Sequence, residues 1–168
     1  MIRKSLIVIV TMVTMAMGVA NAQQEAKTAS MLLKGFLESV GKGDAGSSAS
    51  FFADSAYIEA PYVVSLGLPS NIKGKKAIEA TMGTVKQAAP NFHFKNIKVL
   101  LETPTEVVAE YESGATMANG RPYKQHYIGH LVSKDGKIVS IREFLNTVVF
   151  VEAFFPNGLK DLIGPKRK

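Results

Sequence analysis

The chain contains no cysteine. That absence excludes disulfides, metal thiolates, a thiol nucleophile and a lipid anchor on sulfur, so stability has to come from an apolar core. No internal repeat or low-complexity tract is present, and Gly-rich loops that cradle phosphate are missing, which argues against nucleotide chemistry. Ser47, Ser48 and Ser50 lie in a run of small residues without a nucleophile elbow, so acyl transfer has little support. Acids and bases alternate, and no basic stripe carries interleaved aromatics; a nucleic-acid partner is not expected.

What is there begins with a targeting pattern. Arg3 and Lys4 precede an apolar run from Leu6 to Val19, and Ala20-Asn21-Ala22 follows as an A-x-A cleavage site. The order predicts a signal peptide over 1–22 and a periplasmic or secreted protein beginning at Gln23. The other reading of this run, a membrane anchor, is disfavoured because it is short for a span of about 20 residues and polar Gln23, Gln24 and Glu25 follow at once. Removing 22 of the 168 residues leaves 146, enough for a single domain over 23–168 with its own core. Lys160, Lys166, Arg167 and Lys168 form a short basic tail, read as a solvated end.

Ala29, Leu32, Leu33, Phe36, Leu37 and Val40 recur at helical spacing and stop at Gly41 and Gly43, which predicts an amphipathic first helix. Asp44 suits the N-cap of a short second helix ending near Phe51-Phe52, and Tyr57 to Ala60 reads as a brief strand halted by Pro61. A loop with Gly67, Pro69, Asn71 and Gly74 leads to a third helix carrying Ile78, Met82 and Val85 on one face. From Phe92 the period becomes two: strands are expected over 92–101, 106–117, 123–133 and 137–147. Asn119-Gly120 and Asp135-Gly136 between them are two-residue hairpin turns. Helices followed by an antiparallel meander give an α+β fold, a curved sheet with its concave face covered by about three helices.

The turns also set a register. With two-residue loops at both sites, Val107, Ala109, Tyr111 and Ser113 share a face with His126, Ile128, His130 and Val132, and with Val139, Ile141, Glu143 and Leu145. That face starts apolar and becomes polar toward Tyr111, His126, His130 and Glu143, as a pocket wall does. The opposite face then carries Glu106, Glu110, Glu112, Gln125, Tyr127, Ser140, Arg142 and Phe144, solvated or dimeric. Burial raises the pKa of Glu143 and a charged histidine lowers it, so a titratable carboxyl for proton transfer is one reading. A structural Glu143 paired with His126, His130 or Tyr111 is the other. The two histidines stand about 13 Å apart along a strand, too far to share a metal ion, and no third ligand is suggested. Glu59 at a strand end reaches either the pocket mouth or water, with water preferred, and His93 is expected at an exposed edge.

The words His126-Tyr127, His130 and Arg142-Glu143-Phe144 with Asn146, together with Phe51-Phe52-Ala53-Asp54, Glu59-Ala60-Pro61 and Gly74-Lys75-Lys76-Ala77-Ile78, resemble the nuclear transport factor 2-like superfamily. Within it the similarity is to the SnoaL-like branch, including the phenazine-biosynthesis A/B proteins, and to ketosteroid isomerase-like proteins. The resemblance implies a cone-shaped pocket between helices and sheet, and a homodimer formed by the outer sheet face. It also implies that Glu143, in the family's R-E-[FY] word, lies in the ligand pocket and acts in acid/base chemistry. The family's Asn/Asp-Pro after the aromatic is here Asn146-Thr147. The expected function is that of an exported, cofactor-independent isomerase, dehydratase or cyclase. In it Glu143 moves a proton on a small apolar carbonyl compound, helped by Tyr111, His126 or His130. The alternative is a non-catalytic ligand-binding or assembly module.

Overall fold

The computed structural model describes residues 27–163; the proposed signal peptide and the end of the basic tail lie outside the described residues. Helix α1 (Ala29–Lys42) starts at Thr28, whose side chain accepts from the Met31 N–H, and ends at Gly43 in the left-handed region (φ 72°). Its Leu32, Leu33, Phe36 and Leu37 are buried, as the helical spacing predicts. Asp44 caps α2 (Ala45–Ala49) by accepting from the N–H groups of Gly46 and Ser47. Strand β1 (Phe52–Glu59) is longer than the sequence suggests, and a short 3-10 helix (Pro61–Leu66) follows it. The expected loop contains a small strand, β2 (Asn71–Lys73), before α3 (Lys75–Ala88).

The meander consists of β3 (His93–Glu102), β4 (Glu106–Thr116), β5 (Pro122–Lys134) and β6 (Lys137–Leu145). Six strands make one sheet in the order β2-β1-β6-β5-β4-β3. All neighbours are antiparallel except β1 and β6, which run parallel, so the sheet is mixed rather than a pure meander. The exception follows from the connection: the helix-containing chain between β1 and β6 can cross over, which a tight hairpin cannot. This is the α+β architecture expected, with a curved, unclosed sheet and helices on its concave side.

Two helices beyond the expected three occur among the described residues: α4 (Thr147–Phe154) and a short α5 (Lys160–Ile163). The expected strand therefore stops at Leu145. Asn146 ends it by turning its side chain onto the N–H groups of Val148 and Val149, an N-cap in place of the family's Asn/Asp-Pro turn. Buried Gln125 holds the corner: its amide donates to the Asn146 carbonyl (2.9 Å) and accepts from the Asn146 N–H (3.1 Å). At the far end of α4 the Arg121 guanidinium donates to the carbonyls of Glu152 (2.9 Å), Phe155 (2.6 Å) and Pro156 (2.6 Å). Helix α4 is thereby fastened over one end of the concave face.

The register departs from expectation in one strand. The β4–β5 turn is a three-residue loop, Ala118-Asn119-Gly120, closed by the Met117 N–H donating to the Arg121 carbonyl (2.8 Å), with Gly120 at φ 81°. The Asp135-Gly136 turn does have two residues, both at positive φ, and pairs Lys134 with Lys137. Just beyond it a bulge adds Val139 to β6, so that Val132 pairs with Ser140. Each irregularity shifts pairing by one residue, and the two offset each other across β5. Strand β4 keeps its expected faces, as does β6 from Ser140 onward, though before the bulge Ile138 rather than Val139 is buried; every side chain of β5 turns to the opposite face.

Candidate functional site

A cavity of about 400 Å³ lies between the concave sheet face and the helices, within the range of small-molecule sites. Phe36 and Val40 of α1, Met82 and Val85 of α3 and Val63 of the 3-10 helix form one side. Phe94, Tyr127, Ile141 and Leu145 of the sheet form the other, with Phe150 and Phe154 of α4 at the end. Against this apolar lining stands one carboxyl group, Glu143.

Glu143 reaches the concave side because β6 alternates from Ile141 to Leu145, both inward. The Tyr111 hydroxyl donates to Glu143 Oε1 at 2.6 Å. Tyr111 sits on β4, and its ring crosses β5 above Gly129, where a β-carbon would overlap the phenol. Among the described residues Tyr111 is the one hydrogen-bond partner of this carboxyl. Oε2 makes no hydrogen bond among the described residues, and Glu143 borders the cavity. Glu143 keeps partial accessibility because it borders that cavity, yet protein surrounds it. Burial pushes its pKa up, and the Tyr111 hydrogen bond partly offsets the rise. Tyr111 is completely buried; burial first, then the nearby Glu143 charge, raises its own pKa well above the ordinary phenol value.

Two tyrosines of the same lining carry a second, buried set of hydroxyls. Tyr127 stacks on Tyr111, centroids 5.2 Å apart. Its hydroxyl lies 3.2 Å from Ser113 Oγ and 3.1 Å from the Tyr123 hydroxyl. Tyr123 and Tyr127 both line the cavity, and burial raises both pKa values, with the Glu143 charge adding to it. The arrangement places one carboxyl and two phenols around a volume whose remaining lining is apolar except for Ser70, Thr81 and Thr84.

Of the four residues expected together, the structure joins Glu143 and Tyr111 and separates His126 and His130 from them. The histidines lie on the outer sheet face, where His126 Nε2 is 3.0 Å from Glu110 and His130 Nε2 is 2.9 Å from Glu106. The shifted β5 register is the reason. The same shift moves Gln125 and Tyr127 from the expected outer face into the interior. Arg142, on that outer face, pairs with Glu59 (2.7 Å). His93 is exposed, its Nδ1 3.0 Å from the Asn91 carbonyl.

Sequence reasoning missed Tyr123, Tyr127, Phe150 and Phe154. The row Tyr123, Gln125, Tyr127, Gly129, Leu131 carries no charge, whereas the alternate row begins with Lys124 and holds both histidines. That contrast marks the interior face of β5. Phe150 and Phe154, four apart after the capping residue Asn146, mark one face of a helix.

A family model described as SnoaL-like domain matches residues 33–141, ending just before Glu143. The uncharacterized protein YesE of Bacillus subtilis (strain 168) is 30% identical over 139 residues, covering 77% of this chain and 89% of that protein. Among solved structures, a candidate isomerase from Bacillus subtilis is 29% identical with a TM-score of 0.67, covering 75% of this chain and 91% of the other. The phenazine biosynthesis-related protein PhzB2 of Pseudomonas aeruginosa also has a TM-score of 0.67, at 20% identity, covering 92% and 94%.

Proposed function

The chain belongs to the SnoaL-like domain family, and from that premise we propose that it takes a small apolar carbonyl compound into the cavity for acid/base chemistry at Glu143. The observation that carries this reading is one carboxyl with a free oxygen and a raised pKa in a volume lined by apolar side chains. A general base works best when its pKa approaches the working pH, and burial moves Glu143 in that direction. In the ionised form Oε2 takes a proton from the carbon beside the carbonyl, while the Tyr111 hydrogen bond steadies Oε1. Tyr123 and Tyr127 supply hydroxyls that can hold the carbonyl oxygen as negative charge develops on it. Tyr111 does not line the cavity and acts through Glu143 as a positioning residue.

Such chemistry supports isomerisation, dehydration or cyclisation. The test is deuterium uptake at the carbon beside the carbonyl, followed by NMR across a panel of apolar ketones with wild type and Glu143→Gln. Exchange that depends on Glu143 supports the enzyme reading. Ketones that bind without exchange support a binding module of the same fold.

Export and self-association belong to the same proposal. No helix of the described residues is long and apolar enough to cross a membrane. Intact mass of the secreted protein, expected to begin at Gln23, tests export. The expected homodimer loses Tyr127 as a contact, leaving Phe144 and half-exposed Ile128 among charged residues on the outer face; sedimentation at micromolar concentration tests it.

A further inference from the structure

Among the described residues Glu143 has no counter-charge. None of the elements around the cavity supplies one: α1 presents Phe36 and Val40, the 3-10 helix Val63, α3 Thr81, Met82, Thr84 and Val85, and α4 Phe150 and Phe154. From the sheet come β1's Ile58, β2's Ile72, β3's Phe94 and β6's Ile141 and Leu145, with the phenols Tyr123 and Tyr127 on β5 and Tyr111 behind them on β4. Among the described residues no lysine, arginine or histidine lines it. The histidines and Arg142 are paired with Glu110, Glu106 and Glu59 outside. A buried carboxylate without a cation is costly, and a ligand that brings the cation removes that cost.

The remaining lining suits such a ligand. Phe36, Phe92, Phe94, Tyr127, Phe150 and Phe154 put aromatic rings around the volume that Glu143 faces. Ring faces attract alkylammonium groups, most strongly where water is excluded. Resting on the cavity reading above, we propose that this site binds lipophilic monocations, amines or quaternary ammonium compounds, with the nitrogen beside Glu143 Oε2 and the apolar body along the aromatic wall. Such compounds occupy the place of a carbonyl substrate and compete with it.

Calorimetric titration with hexyltrimethylammonium and with methyl hexyl ketone, a neutral probe of similar length, tests this. At mildly alkaline pH the ammonium probe is expected to bind wild type about tenfold tighter or more. That preference should shrink as pH falls and Glu143 takes up a proton, because hexyltrimethylammonium keeps its charge. Glu143→Gln should still bind the ketone and should lose the preference. Equal affinities in wild type, or a preference retained at acid pH or in Glu143→Gln, would overturn the proposal while leaving the cavity reading intact. Failure of both probes to bind folded wild type at millimolar concentration would sink both. If Glu143→Gln does not fold, the pH series on wild type decides alone.

Discussion

The Tyr111 phenol occupies the space that a side chain on Gly129 would take, and that is how a residue of β4 reaches Glu143 on β6. The relationship is diagonal across β5: Tyr111 pairs with Tyr127, and Gly129 pairs with Glu143. One missing β-carbon therefore decides whether the carboxyl has a hydrogen-bond partner.

Gly129→Ala is expected to push the Tyr111 ring off Glu143 and destabilise the protein by about 1–3 kcal/mol, the usual cost of overfilling a packed interior. Urea unfolding measures it. An unchanged midpoint would mean that the ring moves freely, contrary to its complete burial.

The pH dependence of stability has a definite sign. Because burial raises the Glu143 pKa, the folded protein keeps a proton that the unfolded chain has released, over the interval between the ordinary carboxylate value and the raised one. Stability contributed by this group is complete below that interval, falls as pH rises through it and is level above it. Subtracting the profile of Glu143→Gln from that of wild type isolates the effect from other acids. The difference should move against wild type with rising pH, and a flat difference would show that Glu143 is not the group responsible.

Tyr111→Phe removes the one contact that lowers the Glu143 pKa, so the carboxyl should titrate higher than in wild type. Carbon-13 NMR of the Glu143 side chain reads this directly. Stability should fall by about 1–3 kcal/mol, the cost of leaving a buried polar group without its hydrogen-bond partner.

His126→Ala and His130→Ala should each change stability by no more than about 0.5 kcal/mol, since both pairs lie on the solvated face. Neither should alter binding of methyl hexyl ketone. A tenfold loss of ketone affinity in either variant would place the histidines at the cavity after all.

Much of this fold can be read from local chemistry. Helix α1 follows from the spacing of Leu32, Leu33, Phe36 and Leu37 and from Gly43, and α2 from the capping side chain of Asp44. The inward faces of β4 and β6, and with them Tyr111 and Glu143, follow from alternation alone. Helix α4 is legible only in the capping chemistry of Asn146 and the spacing of Phe150 and Phe154, because Val148 to Val151 looks like a continuing strand.

What the chain determines by itself is most of its elements, its α+β class and the inward position of Glu143, which rest on side-chain period and short-range capping, while its likeness to the SnoaL-like branch rests on matched words such as Arg142-Glu143-Phe144. Tertiary structure decided which residues share the cavity with Glu143. A three-residue loop at Asn119-Gly120 and a bulge at Val139 set the register of β5. Both are backbone conformations that several turn sequences can adopt, and packing selects among them. Since side chains alternate with a period of two, each single-residue shift exchanges the faces of a strand. It put Tyr123 and Tyr127 beside Glu143 and turned His126 and His130 toward water.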